Sequence, residues 1–337
     1  MNLIGLNASF QVVKTLTCIN IQWNRKYYEP GEYALQMRAC DWDTGIAYVY
    51  TPDRPETGMV EKVETEHTVK GDLVNVSGFF LEGMLNWKVT YPKHSSAGNL
   101  SAACKALVGA LLTDTGVTVP TAADVGAAAM FESEGEFLGD ATYAALKAQE
   151  LGQKIRYDYD SGLLLYSIWQ GADRSQSQGV NPYAVFSQDF GTVDSMTLTR
   201  DTSAYRNYAI VLYDGGSFDI DLRTGGGPKR ILYVDTGMTI EDGQTQADFL
   251  AAVTSEARKQ LAEYPSVLNI DADVMQNNIL YGIDYDLGDK CDVRDDRLQL
   301  AFETRIIEVR EVWKNNTHGI TLQFGDKIPT AYQRGRA

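Results

Sequence analysis

Between Ile279 and Val293 the chain reads Ile-Leu-Tyr-Gly-Ile-Asp-Tyr-Asp-Leu-Gly-Asp-Lys-Cys-Asp-Val. Two further runs follow it, Thr304-Arg-Ile-Ile-Glu-Val-Arg-Glu-Val-Trp313 and Ile320-Thr-Leu-Gln-Phe324. Apolar residues at every second position place one strand face on a core and the other in water. Lys314-Asn-Asn-Thr-His-Gly319 separates the two runs and supplies Asn315, Asn316 and Gly319, residue types that tolerate the dihedrals of a tight turn. The last fifty residues therefore predict an antiparallel meander, entered through a turn at Gly288-Asp289.

The N-terminal part shows the same economy. Phe10 to Trp23 predicts a strand pair or one long strand of imperfect alternation. Tyr27-Tyr28-Glu-Pro-Gly31 predicts a cross-strand aromatic pair beside a turn, in preference to a ligand platform. Ile46–Tyr50 and Met59–Glu66 read as strands, and Lys70-Gly71-Asp72 as a hairpin turn into Leu73–Val76. Residues 1–90 thus predict a small barrel or sandwich of about six short strands.

Beyond Pro92 the period changes. Leu100, Ala103, Cys104, Leu107, Val108 and Leu111 share a helical face between Asn99 and Asp114. A second helix is expected from Asp140, as N-cap, to Leu151, with a poorly packed Ala/Gly/Glu-rich connection at 120–138 before it. Lys154–Trp169 predicts a hairpin with Asp160-Ser161-Gly162 at its tip. Tyr208–Tyr213 and Lys229–Asp235 read as partner strands, Ala247–Tyr264 as a helix ended by Pro265, and Val267–Val274 as a strand. The division this implies is a first β module at 1–90, an α+β insert at 91–180, a second β module at 181–330 with an inserted helix near 247–264, and a flexible tail at 331–337.

Composition narrows the function. At 337 residues two or three domains are expected, and no stretch of ~18 apolar residues is present to span a bilayer, so no membrane insertion is expected. A formal charge of −15 argues against wrapping nucleic acid, which needs clustered Lys and Arg. Cys18, Cys40, Cys104 and Cys291 form no C-x-x-C pair and read as reduced, buried thiols.

Each candidate for chemistry meets a plainer reading. Asp284, Asp286, Asp289, Asp292 and Asp295 suggest a calcium loop, but counting from Asp284 puts Gly288 at position 5 where an oxygen is required, so solvated turn and strand carboxylates are expected. Asp158 and Asp160 are turn formers at a hairpin tip. Gly225-Gly-Gly-Pro-Lys-Arg230 lacks the strand-to-helix setting of a phosphate loop and reads as a flexible hairpin tip. His67, His94 and His318 have no metal-ligand spacing, and His318 is placed in a turn. Trp23, Trp42, Trp87, Trp169 and Trp313 are dispersed and read as core or interface anchors. No catalytic, cofactor-binding or metal residue is singled out, and no cofactor is expected.

Several of these stretches together resemble the tail-hub family of long-tailed bacteriophages, a mainly β fold related to contractile-phage baseplate hubs and to the amino-terminal part of type VI secretion spikes. The resemblance rests on Gly282-Ile-Asp-Tyr-Asp-Leu-Gly-Asp289, on Tyr27-Tyr28-Glu-Pro-Gly31, on the ordered series Gly171-Ala-Asp-Arg-Ser175, Val185-Phe-Ser187 and Tyr205-Arg-Asn207, and on the closing Leu322-Gln-Phe-Gly325. It implies two β-barrel modules per subunit and a homotrimer. It also implies a non-enzymatic virion protein at the tail tip, assembled in the bacterial host cytoplasm. Its partners would be the tail-tube or distal tail protein and the tip or tape-measure proteins, with DNA passing through without specific binding. The competing classes are a carbohydrate-binding β module, which an exposed aromatic platform would favour, and a glycoside hydrolase acting on the cell wall, which needs two carboxylates at ~5–9 Å in a cleft.

Overall fold

The structure is a computed structural model and describes residues 1–325 apart from 70, 241, 242, 296 and 316. Lys70 of the expected hairpin turn, Asn316, and the expected flexible tail at 331–337 lie outside the described residues. The fold is mainly β. The chain divides into two compact units, one made of Met1–Met196 with Asp271–Phe324, the other built on Thr197–Ile270.

In the first unit, one antiparallel ladder runs through strands Lys62–Thr68, Gly71–Phe79, Glu32–Arg38, Cys18–Lys26, Leu300–Lys314 and Thr317–Gly325, in that order. The strand Cys18–Lys26 pairs directly with Leu300–Lys314, so segments from the two ends of the chain share one sheet. Its imperfect alternation has a cause, because the register against Glu32–Arg38 shifts between Cys18 and Asn20 and leaves Ile19 outside the pairing. Trp23, Tyr33, Leu35, Met37, Val74, Val76 and Phe80 fill the core over this sheet. Phe10–Trp23 is neither one strand nor a simple pair. Val12–Leu16 belongs to a separate small sheet with Leu3–Leu6, Tyr48–Tyr50 and Gly58–Met59, while Phe10 sits in the connecting turn at φ 58°.

Helix Leu100–Leu111 is capped by Asn99, whose Oδ1 accepts from the Ala102 N–H at 3.1 Å. The second helix spans Leu138–Lys147, so Asp140 lies in its first turn and is not the N-cap. The Leu138 N–H instead donates to the Lys88 carbonyl at 2.9 Å, an extended-chain pairing that sequence spacing does not reveal. Gly152 does not stop this helix but opens the hairpin Gly152–Asp158/Leu163–Trp169, with Gly162 at φ 69° in its tip. Within the expected loose connection, Phe131–Ser133 pairs with His94–Ser96 and buries Phe131. Leu107, Leu138, Leu146, Leu151 and Tyr166 form the core beneath.

In the second unit, Tyr208–Tyr213 lies between an antiparallel neighbour, Gly216–Asp221, and a parallel one, Ile231–Asp235. Helix Gln246–Ala262 presents Phe249, Val253, Ala257 and Leu261 at every fourth position to Ala209, Val211, Ile220 and Val234. Because Ile231–Asp235 pairs in parallel on the far side of the central strand, Gly225–Arg230 is a crossover connection and not a hairpin tip.

The closing meander forms as expected through Lys290–Asp295, Leu300–Lys314 and Thr317–Gly325, and Gly288 enters it at φ 87°. The last turn is shorter than the sequence suggested. Lys314 pairs with Thr317, Asn315 takes φ 52°, and both His318 and Gly319 lie inside the final strand.

Candidate functional site

Three of the singled-out stretches meet at Tyr27. Its ring is fully buried with the edge of Trp169 against it, at 5.2 Å and 82°. Gly152 and Gly288 flank that ring so closely that a Cβ at either position would overlap it. The Tyr27 hydroxyl can donate to the carbonyl of Glu150 at 3.0 Å or of Trp169 at 3.1 Å, and it accepts from the Gly171 N–H at 3.2 Å. Gly171 is required for a second reason, since a Cβ there would run into the Gly288 carbonyl. Tyr27 and Tyr28 do touch, but the buried Tyr27 is a latch between three segments and not half of a cross-strand pair.

Asp289 completes the junction. Its carboxylate accepts from the Ala172 N–H at 2.8 Å, the Asp286 N–H at 3.0 Å and Arg174 Nε at 2.7 Å. Backbone bonds from Lys290 N to Ala172 O and from Arg174 N to Lys290 O run alongside, and Asp292 accepts from Gln176 N. An Asp289→Ala variant strands two backbone donors and a largely buried guanidinium. We expect it to lose about 3 kcal/mol of unfolding free energy in urea titrations. A loss below about 1 kcal/mol would contradict the role assigned to this carboxylate.

A second polar cluster lies on the main sheet. Ile21, Trp23 and Arg25 occupy one strand face, so Arg25 is carried inward and is 5% exposed. Its Nε donates to Glu56 at 2.6 Å, and its Nη1 donates to Asp286 at 2.7 Å and to the Tyr281 hydroxyl. Arg54 grips the fully buried Glu311 through two bonds, at 2.6 and 2.5 Å, and its guanidinium lies 5.0 Å from the Tyr281 ring centre. His318 stacks on Trp313 at 4.3 Å and shares a 3.0 Å bond with the same Glu311. Burial works against ionisation of Glu311, but hydrogen bonds from Arg54 and His318 outweigh it and hold the carboxyl below the usual range. Burial likewise opposes ionisation of Asp286, and Arg25 overrides it. These anions are matched to cations, which suits a clamp between segments.

The five aspartates thus divide. Asp289 and Asp292 are buried hydrogen-bond anchors and not solvated carboxylates, Asp286 pairs with Arg25, Asp284 accepts from Leu280 N, and Asp295 caps Arg297 and Leu298. Among the described residues no group of three or more His, Cys, Asp or Glu side chains could hold a metal ion. His67 pairs with Asp72. All four cysteines are free thiols, but Cys40 is exposed and only Cys104 and Cys291 are fully buried. Of the tryptophans, Trp23 is core, Trp42 and Trp313 pack at its margin, and Trp87 is exposed.

A shallow hollow is lined by Gln176, Ser177, Asp292, Ala301, Phe302 and Glu303. It contains two carboxylates, as a hydrolase would require. Hydrogen bonds from Lys290 and Ser177 hold Glu303 below the usual carboxylate range, which is the wrong state for a general acid. Asp292 is occupied by the Gln176 N–H at 2.8 Å.

No curated protein matches the chain by sequence. Solved structures do match by fold. The tail protein from Neisseria meningitidis MC58 superimposes with a TM-score of 0.63 at 14% identity, covering 97% of this chain and 96% of that one. The 43 kDa tail protein of prophage MuSo2 from Shewanella oneidensis gives 0.61 at 13% identity, over 96% and 98% of the two chains. Prophage tail protein gp18 from Listeria monocytogenes EGD-e gives 0.55 at 9% identity, over 100% and 98%. A family model matches residues 6–326, nearly the whole length described above. The chain belongs to the Siphovirus ReqiPepy6 Gp37-like protein family.

Proposed function

We propose that this protein is a structural component of a phage tail, a hub that joins the tail tube to the tail tip and encloses the DNA channel. The observation that carries this reading is the end-to-end fold match to tail proteins, two of them from prophages. The polar clusters support it, since their charged groups are spent on holding segments together. In this reading each subunit supplies two barrel-like β modules, one from 1–90 and one from 181–330, and three subunits form a ring. The partners are the tube or distal tail protein on one side and tip or tape-measure proteins on the other, bound through sheet edges and module surfaces. Three copies carry three times −15, or −45, and a wall of that sign lets a polyanion slide without adsorbing.

Gold-labelled antibody against the purified chain should mark the tail tip of intact particles. Label along the tail shaft or on the capsid would contradict the assignment.

A further inference from the structure

Phe10, Tyr48, Tyr50, Tyr157 and Tyr159 come together from three places in the first unit: the turn after Leu3–Leu6, the strand Tyr48–Tyr50, and the tip of the hairpin Gly152–Asp158/Leu163–Trp169. Phe10 is stacked between Tyr48, at 4.2 Å and 13°, and Tyr157, at 4.5 Å and 24°. Outside that stack Tyr50 and Tyr159 lie nearly parallel, 5.5 Å apart and 19° from coplanar, and each meets Tyr157 edge to face. We propose that this aromatic corner is a binding platform for a neutral, β-linked gluco-configured oligosaccharide.

The inner rings have an ordinary task. Phe10, Tyr48 and Tyr157 pack on the core beneath and fasten the hairpin tip to the small sheet. That task does not account for the outer pair, because Tyr159 is 51% exposed and Tyr50 half-buried. Nor does it account for the polar groups. Among the described residues none of the four phenol hydroxyls bonds to a protein group, and neither Asp158 nor Asp160 is paired with a cation. Burial and then the nearby Asp160 push the Tyr50 phenol up, so it keeps its proton as a donor. An apolar protein surface laid over this corner would strand four hydroxyls and the Asp160 carboxylate, while Asp158 Oδ1 already accepts from the Asp160 N–H at 3.2 Å. A sugar ring uses both kinds of surface. The axial C–H groups of a β-gluco pyranose form an apolar face that fits a tyrosine ring, and its equatorial hydroxyls project outward to carboxylate acceptors and phenol donors.

The corner is also built in advance. Asn7 Oδ1 accepts from the Ser9 and Gln11 N–H groups at 2.9 and 3.0 Å, and the Phe10 N–H returns to the Asn7 carbonyl at 2.9 Å. This closed turn holds Phe10 at φ 58°, a backbone region that a bulky side chain rarely occupies. The strained residue is the one that fixes the stack.

The test is calorimetric titration of the full-length chain with cellotetraose and with N-acetylchitotetraose, beside Tyr50→Ala, Tyr159→Ala and the double variant. The proposal expects saturable binding of at least one tetrasaccharide, weakened about tenfold by each single variant and lost in the double, with unchanged circular dichroism. Absence of binding to both sugars would overturn it, as would binding indifferent to the two substitutions. A change in solution mass on substitution, without saccharide binding by the wild type, would overturn it too and make the corner a contact between copies of the chain. The tail-hub reading stands or falls separately, since no outcome here depends on where the protein sits in a particle.

Discussion

A Glu82→Gln variant is expected to lose a pH dependence of stability that the wild-type protein shows between about pH 4.5 and 8. Glu82 is 4% exposed, with Oε1 at 3.4 Å from the Gly31 N–H and Oε2 without a hydrogen-bond partner among the described residues. Burial, and then repulsion from Glu56, pushes its carboxyl up to about 8 from a free glutamate's 4.5. In this window the folded chain therefore holds a proton that the unfolded chain has released. Stability from this group is complete below pH 4.5 and declines as pH rises through 8, because the unfolded state binds fewer protons. At ~1.4 kcal/mol per pH unit the full decline is about 5 kcal/mol. Glutamine stays neutral throughout, so urea midpoints of the variant should fall less steeply over the same range. Parallel pH profiles for the two proteins would show that Glu82 does not carry the proton.

The second large effect is at Arg25. Arg25→Met removes the cation shared by Glu56, Asp286 and the Tyr281 hydroxyl, and leaves Glu56, 7% exposed, with its charge unmatched. Breaking a buried pair from one side costs about 3–5 kcal/mol, whereas replacing both partners with apolar groups is often close to neutral. We therefore expect Arg25→Met to lose that much stability and Arg25→Met with Glu56→Leu to regain most of it. If the double variant is no more stable than the single one, the pair does not act as a unit.

The architecture was most legible where periodicity is strongest. The closing meander, the helix capped by Asn99 and the Val267–Val274 strand all follow from alternation and capping. What stayed hidden was long-range pairing. Nothing local in Cys18–Lys26 says that it pairs with Leu300–Lys314, and nothing near Leu138 says that Lys88 satisfies its N–H. The clamp residues did leave a trace. Arg25 follows Ile21 and Trp23 on an inward face, and Glu311 follows Val309 on another, so each is a charge placed where alternation demands an apolar residue. Tyr27, Gly171 and Asp289 were marked by the hub resemblance, but only coordinates show that the three meet. The aromatic corner is assembled from three segments far apart in sequence, so composition recorded its tyrosines without their arrangement.

In the function proposed above, this chain closes a channel as a threefold hub between tube and tip. A cryo-EM map of the parent particle tests it most directly. The account predicts three copies around the tail axis at the tip end of the tube, each giving two β modules to one ring, with more carboxylates on the channel wall than on the outer surface. One copy or six, a position elsewhere in the particle, or a wall no more acidic than the exterior would contradict it.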